Sequence, residues 1–562
     1  MKIITTQKVN CKDCHRCVRS CPVKAIGIEK GHARLVEDKC IHCGKCIVEC
    51  PQHAKQVINH IPEIEQIIAS GQRVVMSLAP SFVASFSELS PGELASKIRG
   101  LGFNAVEETA IGAEVVSGVY RSLLANSRDT VLSSCCPVIV NLIEKFYPQL
   151  VHNLAPVVSP MAAHARIIRE KYGVDTFVVF AGPCVGKLAE IQLKDSMVDA
   201  AITFEQLKEW LSRSTMTIDS DEIDQAWGNA RYFPVPGGVL KSFMCHEETD
   251  INVISVDGID KCIEVFDGLL RNEIAPRFIE VMACSGGCIG GPASGGSCIP
   301  AKRVKVVEYA KSSQKEEPHF LPAALNFQRV HQGEAFMSTE PTEEIIREIL
   351  QQTGKFSKVD EKNCGACGYN SCREKAIAVY KGLAEIEMCV PYMRSKAESY
   401  ANIIVDNSLN AIIVVNEKMI IQDFNPAAEV MFDRKHEVTK GISLSEIIDC
   451  SDFLTAVERG NQMCWLPKRV EYPRFGMITE QRIIPVPDHG LVIGVFTDVT
   501  ANENKERELQ KIKLDTVEKA TEIINKQMQV AQEIAGLLGE TTAETKSALL
   551  ELIWLLKDKE GA

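Results

Sequence analysis

The chain reads as a multidomain α/β protein on three observations. Its 562 residues are too many for one hydrophobic core, so several domains are expected. In the middle of the chain, short β-rich runs alternate with helix-like stretches, which implies α/β architecture with a mostly parallel sheet. In the last third, strand signals around a short helix give way to a long charged periodic run, which implies a small α+β domain and then a helix.

Hydrophobic residues make up 45% of the chain and charged residues 24%, the balance of an ordinary soluble globular protein. The net charge is −12, with no Lys/Arg block, so neither nucleic acid nor an anionic membrane is expected as a partner. No apolar run is long enough to span a bilayer. The stretch Met1 to Lys8 lacks the apolar core of a signal peptide, so a cytoplasmic protein is expected. In such a chain the 22 cysteines are expected to be metal ligands rather than disulfides.

Residues 1–70 hold Cys11-x2-Cys14-x2-Cys17-x3-Cys21-Pro22, then Cys40-x2-Cys43-x2-Cys46-x3-Cys50-Pro51. This is the bacterial ferredoxin spacing, present twice, in which three close thiolates grip one 4Fe–4S cubane and the fourth reaches across to the other. Cys11, Cys14, Cys17 and Cys50 are expected on one cluster, and Cys40, Cys43, Cys46 and Cys21 on the second. Zinc knuckles are the competing reading, but zinc sites take four ligands and rarely repeat an eight-cysteine pattern. Such a module moves electrons one at a time.

The middle domain, residues 71–355, is organised around Glu280-Val-Met-Ala-Cys284-Ser-Gly-Gly-Cys288-Ile-Gly-Gly-Pro292. The apolar run Phe278 to Met282 reads as a buried strand. The glycines after it permit positive φ and a close backbone approach to a bulky ligand. Arg73 to Leu78 runs likewise into Ala79-Pro80-Ser81-Phe82, and Thr130 to Leu132 into Ser133-Ser134-Cys135-Cys136-Pro137. Thr176 to Phe180 runs into Ala181-Gly182-Pro183-Cys184-Val-Gly-Lys187. Ligands of such folds collect beyond the carboxyl ends of the strands. Three cysteine turns can therefore meet at one site, where thiolates suit iron–sulfur ligation. Buried free cysteines are the plainer reading, and the repetition of the turn argues against it.

Ser134-Cys135-Cys136-Pro137, Pro183-Cys184-x2-Lys187 and Glu280-Val-Met-Ala-Cys284-x3-Cys288 resemble the three signature loops of the FeFe-hydrogenases. With the ferredoxin head and the Ala79-Pro80-Ser81 turn, the resemblance covers residues 1 to about 300. It implies an H-cluster: a 4Fe–4S cubane bridged by a cysteine sulfur to a di-iron subsite carrying CO, cyanide and azadithiolate. By this resemblance Cys136, Cys184, Cys284 and Cys288 are the cubane ligands, with Cys288 also bridging to the di-iron unit. It gives Lys187 a hydrogen bond to a cyanide, in keeping with a buried ammonium's need for an anionic partner. Met282, Ala79 and Pro80 would pack around the di-iron unit, and Cys135 would relay protons to the amine bridge. H2 and protons are then the substrates, and ferredoxin or a similar carrier the electron partner.

The departures from hydrogen-producing members resemble those of the sensory FeFe-hydrogenases. Where such members carry a pair of glutamates, Gly112-Ala113-Glu114 is followed by Tyr120 and Leu123 at the acid positions. A proton wire needs titratable groups or water within hydrogen-bond reach, so the usual wire is expected to be broken. Gly182 replaces the methionine of the family's Met-Pro-Cys, and Gly290-Gly291-Pro292-Ala293-Ser294 reduces its Gly-Gly-Gly-Gln-Pro. A cluster-only relative without the di-iron site is the alternative, against which Lys187, Met282 and Cys135 argue. Cys245, Cys262 and Cys298 are expected to be buried or free thiols. His152 and His164 are expected to be surface or core-satisfied side chains.

Residues 356–397 hold Cys364-x2-Cys367-x4-Cys372-x16-Cys389-Val-Pro391, which resembles the small four-cysteine domain of iron–sulfur electron-transfer proteins. A helix-like run from Arg373 to Glu387 would return Cys389 to the other three. That gives a third accessory 4Fe–4S cluster, expected between the hydrogenase-like domain and the C-terminal third of the chain. Zinc is again the competing metal.

In residues 398–500, Ala411 to Val415, Met419 to Gln422 and Leu491 to Phe496 read as strands, with a short helix begun around Pro426. Their order and spacing resemble a PAS sensory domain, and Asp498-Val499-Thr500 resembles the step that joins such domains to signalling helices. His436, Cys450 and Cys464 are expected to be structural, so a module without cofactor is expected. In residues 501–562, Thr516, Ala520, Ile523, Gln527, Val530, Ile534 and Leu537 recur at spacings of four and three. That is a coiled-coil seam, which suits a homodimer, with a stutter between Ile512 and Ala520. A solvated helix packed on its own domain is the alternative.

The expectation is a sensory FeFe-hydrogenase. It would interconvert H2 with protons and electrons slowly at an H-cluster, use three accessory 4Fe–4S clusters, and report through its PAS module to a signalling partner the sequence does not identify. Two other readings stay open: a metabolic, ferredoxin-dependent hydrogenase, and a redox switch that holds a cubane and no di-iron site.

Overall fold

The computed structural model describes residues 2–126, 128–213, 228–244, 252–296, 298–312, 325–334, 340–459, 467–538 and 547. Cys245, Cys464 and the side chain of Leu537 lie outside the described residues. The chain divides into two compact units, Met1–Tyr392 and Met393–Ala562.

The head of the first unit is two antiparallel strand pairs. Strand β1 (Ile4–Thr6) pairs with β4 (Lys55–Val57), and β2 (Ile26–Glu29) with β3 (His32–Leu35). The two cysteine runs occupy the turns and the short helices Arg16–Ser20 and Lys45–Val48 between them. Cys17, Cys21, Cys40 and Cys46 are buried alongside Val18, Ile26 and Ile41, so thiols make up part of this small core.

The middle of the unit holds two parallel sheets where one was expected. One is ordered β6-β5-β8-β9, with β5 at Val74–Leu78, β6 at Ala105–Glu108, β8 at Phe177–Gly182 and β9 at Ala200–Thr203. The other is ordered β10-β11-β7, with β7 at Val131–Leu132, β10 at Val253–Asp257 and β11 at Phe278–Met282. Every residue of β5 and β11 is buried, as parallel strands covered on both faces require. Helices Pro91–Gly100 and Phe204–Ser212 start on capping boxes, Ser90 with Glu93 and Thr203 with Gln206. An apolar run announces a buried strand but not its partner, which is why the division into two sheets was not visible.

The four-cysteine segment differs in two ways from expectation. Its helix is Cys372–Tyr380 rather than Arg373 to Glu387. Gly382, at φ +65°, turns the chain, and a short 3-10 turn at Ile386–Met388 leads into Cys389. The segment also packs on the ferredoxin-like head, whereas chain order had placed it beyond the hydrogenase-like domain. Arg19 donates to the Ala366 carbonyl at 3.2 Å, Lys24 to that of Gly368 at 2.7 Å, and the Ile28 N–H to that of Leu383 at 3.1 Å.

The second unit is built on an antiparallel sheet ordered β13-β12-β16-β15-β14. The strands are β12 (Ala411–Asn416), β13 (Ile421–Phe424), β14 (Lys468–Tyr472), β15 (Met477–Val486) and β16 (Leu491–Asp498). Along β12, buried Ala411, Ile413 and Val415 alternate with half-buried neighbours, the period of a sheet packed on one face. That face meets Phe432 and Phe453, both of which pack on Phe496. The strand expected at Met419 to Gln422 starts instead at Ile421, because Met419 takes φ +60° in the preceding turn. Helix Pro426–Phe432 is capped by Asn425, whose side chain accepts the Ala428 N–H. Asp498 accepts the Thr500 N–H at 2.9 Å at the start of one continuous helix, Thr500–Leu538. On it Ile523, Val530 and Ile534 are exposed.

Candidate metal centre

Three turns build the site. At the end of β7, Ser133 Oγ accepts the Val281 N–H at 3.0 Å, tying the Cys135–Cys136 loop to β11. Cys136 then takes the N-cap position of the helix Pro137–Phe146, whose first residue is a proline. Cys184 follows β8 and precedes the helix Val185–Glu190. After β11, Gly286 and Gly287 take φ of +81° and +75°, which folds the chain back to present both Cys284 and Cys288. A Cβ on Gly287 would lie 2.5 Å from the Pro234 carbonyl oxygen and 3.1 Å from Met282 Sδ, so a side chain there has no room.

The turns enclose one cavity. Its lining includes Cys135, Cys136, Cys184, Cys284 and Cys288, together with Ala79, Pro80, Lys187 and Met282. The structure thus brings together the residues nominated from all four loops. Phe180, Phe233, Val138 and Met161 complete a mostly apolar wall. Cys288 exposes its side chain, but to the cavity. Burial lifts its thiol far above the ordinary range, Cys136, Cys184 and Cys135 add to this, and Lys187 opposes it. Burial also pushes Cys135 and Cys184 up to about 12, with Cys136 adding to each.

Thiols that resist ionisation together are relieved by a cationic iron centre that replaces their protons. Among the described residues no three His, Cys, Asp or Glu side chains close on one point, as a single ion needs. The thiols surround a volume instead. Donor set, cavity and glycine cradle all fit a bulky iron–sulfur cluster.

Lys187 is 9% exposed. Its Nζ donates to Glu190 Oε2 at 2.7 Å, one helical turn on. Sequence reading asked for an anionic partner and did not find this one.

Tyr120 is fully buried, with ring centroids 5.9 Å from Phe243 and 5.2 Å from Phe278. Its hydroxyl accepts the Ser134 N–H at 3.0 Å, and Leu123 is half-buried nearby in the same apolar cluster. Aromatic and aliphatic packing surrounds both positions. Glu280, in contrast, was not singled out from the sequence. It shares a face of β11 with Met282 and accepts the N–H groups of Gly237 at 2.9 Å and Leu240 at 3.1 Å. Burial raises its pKa to about 7 against those backbone donors and a hydrogen bond to Ser255, while its own charge raises the Cys135 thiol. Ser255 is exposed. A carboxyl inside an otherwise apolar strand is the sequence signal that points to Glu280.

The remaining nominated residues fall into groups. Burial dominates the shift of Cys17, followed among thiols by Cys11, Cys14 and Cys50; for Cys46 the thiols are Cys43, Cys40 and Cys21. The head's eight cysteines therefore gather as two quartets. The charge of Cys43 reaches Cys284. A Cβ on Gly44 would meet Pro292 at 2.7 Å and Val185 at 3.0 Å, so the second quartet abuts the cavity loops. In the four-cysteine segment Cys367 and Cys389 interact, and Lys355 Nζ lies 3.4 Å from Cys389 Sγ. Cys364 is exposed and Cys372 half-buried. Cys262 is a core thiol, its Sγ 3.5 Å from the Met282 carbonyl, and Cys298 is exposed. His152 is on the surface, and His164 is buried and hydrogen-bonded.

Residues 72–292 match the family model of the iron only hydrogenase large subunit, C-terminal domain. Residues 3–59 match a 4Fe–4S dicluster domain, and residues 360–391 an Fe–S cluster model. Iron hydrogenase 1 of Clostridium pasteurianum is 25% identical over 369 residues, covering 52% of this chain and 64% of that protein. The NADP-reducing hydrogenase subunit HndD of Solidesulfovibrio fructosivorans is 26% identical over 394 residues, covering 54% and 67%. The chain thus spans about two thirds of the length of these relatives. The PAS domain of an HTR-like protein from Haloarcula marismortui is similar at 18% identity and a TM-score of 0.16, over 18% of this chain and 98% of that domain.

The matches and the thiol cavity are those of an iron–sulfur protein. More narrowly, the chain is FeFe-hydrogenase-like, with a ferredoxin-type domain ahead of the hydrogenase-like one. Among the described residues no helix is long and apolar enough to cross a membrane.

Proposed function

We propose that the chain is a sensory FeFe-hydrogenase that slowly interconverts H2 with protons and electrons at an H-cluster in this cavity. The observation that carries the proposal is the convergence of Cys136, Cys184, Cys284 and Cys288 with Cys135, Lys187 and Met282 on one apolar cavity. The bound group supplies the redox chemistry of splitting hydrogen. Cys136, Cys184, Cys284 and Cys288 would hold this group. Lys187, charge-paired with Glu190, has two further ammonium hydrogens to offer an anionic ligand. Met282, Ala79 and Pro80 keep water out. Cys135 takes or gives a proton at Sγ. Glu280, poised near neutral pH, passes it towards exposed Ser255. With Tyr120 in the acid position, this transfer is slow.

Cys40, Cys43, Cys46 and Cys21 would hold the cluster next to the cavity, which would supply one-electron transfer. Cys11, Cys14, Cys17 and Cys50, and Cys364, Cys367, Cys372 and Cys389, would hold two further clusters that would link it to a ferredoxin-type carrier. The PAS-like unit and its long helix report the state of the cofactor, with the exposed Ile523, Val530 and Ile534 joining two copies. A cytoplasmic, anaerobic setting suits the reduced thiols.

Turnover by anaerobically matured protein tests the proposal. A sensory enzyme is expected to run about 100-fold slower than a hydrogen-producing relative assayed alongside, the usual worth of a missing acid–base relay. Turnover equal to that relative's, and unchanged when residues 398–562 are deleted, would mark a metabolic hydrogenase instead.

A further inference from the structure

A second hydrogen-bonded chain leaves the same cavity through the other sheet. Thr109 follows β6 and lines the cavity. Its Oγ1 lies 2.7 Å from Ser77 Oγ on β5, and Ser77 Oγ lies 2.7 Å from His164 Nδ1. His164 Nε2 is 3.1 Å from Glu107 Oε2. Glu107 Oε1 accepts from Tyr172 Oη at 2.6 Å and from Lys171 Nζ at 2.8 Å. Ser77 and His164 are 0% exposed, Glu107 1% and Thr109 4%, whereas the Lys171 side chain is 48% exposed. The links therefore run unbroken from cavity to surface.

Burial opposes ionisation of Glu107, but its bonds to His164, Lys171 and Tyr172 outweigh that and hold the carboxyl well below the usual carboxylate range. An ionised carboxylate only accepts. Facing a carboxylate, His164 Nε2 carries a hydrogen. In the tautomer that leaves Nδ1 free, Ser77 donates to it and Thr109 donates to Ser77.

A proton arriving at Thr109 Oγ1 can thus hop through both hydroxyls to Nδ1. The imidazolium gives its Nε2 proton to Glu107, and as the half-exposed Lys171 ammonium loses one of its own protons to solvent, its amine takes up the proton from Glu107. No electrons travel this way: the two from each H2 leave through the clusters, and the two protons need a separate exit. Glu108 with Arg231 is another charged pair near His164, itself buried and hydrogen-bonded, with Tyr309 also donating to Glu108. Ser77, His164 and Glu107 do not make a hydrolytic triad, because Ser77 is sealed and its oxygen is occupied by Thr109.

Resting on the hydrogenase reading, we propose that Thr109, Ser77, His164 and Glu107 form a proton exit from the cavity, in place of the acids absent at positions 120 and 123. The test uses matured full-length protein and follows the CO and cyanide infrared bands as hydrogen is replaced by argon, in H2O and in D2O and across pH. Thr109→Val keeps the volume and removes the hydroxyl, Ser77→Ala cuts the middle link, and Thr109→Ser restores the first. Both cuts are expected to slow band relaxation about tenfold and to enlarge the solvent isotope effect, with Thr109→Ser near native. Native relaxation and a native isotope effect in both cut variants, with the bands intact, would overturn the exit alone. Absence of the bands from the native protein would overturn the hydrogenase reading, and the exit with it.

Discussion

The Tyr120 hydroxyl accepts the backbone N–H of Ser134 at 3.0 Å, so a phenol closes the path at the residue next to Cys135. Tyr120 here serves packing, the hydrogen bond from Ser134 and a hydrogen-bond contact with the Cys135 side chain. Tyr120→Phe is expected to cost about 1–3 kcal/mol by orphaning that N–H, and to leave turnover within about threefold, below the worth of a proton relay. Denaturant unfolding and a hydrogen-uptake assay measure the two. A much larger loss of rate at unchanged stability would make the phenol itself a relay.

Glu280 carries a pH signature. Its folded pKa is raised by burial to about 7 from 4.5. Between those values the unfolded chain has lost the proton that the folded chain still holds, so this group's contribution to stability falls as pH rises from 4.5 towards 7. The full loss is about 3 kcal/mol. Glu280→Gln should remove it, gaining on the native protein between pH 5 and pH 8 in urea midpoints. The same variant should slow turnover about tenfold or more if the carboxyl passes protons from Cys135. Parallel pH–stability curves for the two proteins would show that Glu280 does not titrate in this window.

Lys187 and Glu190 form a buried ion pair at 2.7 Å. Removing one partner leaves the other uncompensated, so Glu190→Ala should cost about 3–5 kcal/mol. Replacing both by Met and Leu should recover much of that in a double-mutant comparison, because the cost lies in the orphaned charge. Equal destabilisation in the single and double variants would count against a coupled pair.

The exposed Ile523, Val530 and Ile534 on the helix Thr500–Leu538 predict self-association. Native protein should run as a dimer in light scattering, and a variant with Ile523→Glu and Val530→Glu as a monomer with its secondary structure intact. A native monomer would leave the seam without the partner proposed for it.

Sequence showed the local parts of this protein far better than their partners. Phe278 to Met282 and Arg73 to Leu78 announced strands because continuous apolar runs between turn residues say so. That they belong to different sheets depends on contacts between segments far apart in the chain. The cysteines of the cavity were legible because thiols beside glycine and proline have few other uses. Glu190, Glu280 and the His164–Glu107 pair were not, because a carboxylate or imidazole has many uses and only its neighbours reveal which. β14 went unseen because its Lys468, Arg469 and Glu471 face outward on an edge strand, where charge is common and apolar alternation is lost. The four-cysteine segment was misplaced because chain order does not fix docking: Lys24 and Gly368 meet at 2.7 Å across 344 residues.

An infrared spectrum of anaerobically purified, matured protein, taken under argon and then under hydrogen, tests the central claim most directly. A cavity that holds an H-cluster through Cys136, Cys184, Cys284 and Cys288 predicts CO and cyanide bands that shift when hydrogen is admitted. Iron and sulfide present without those bands would contradict it, and would leave a redox protein whose cavity holds a cubane alone.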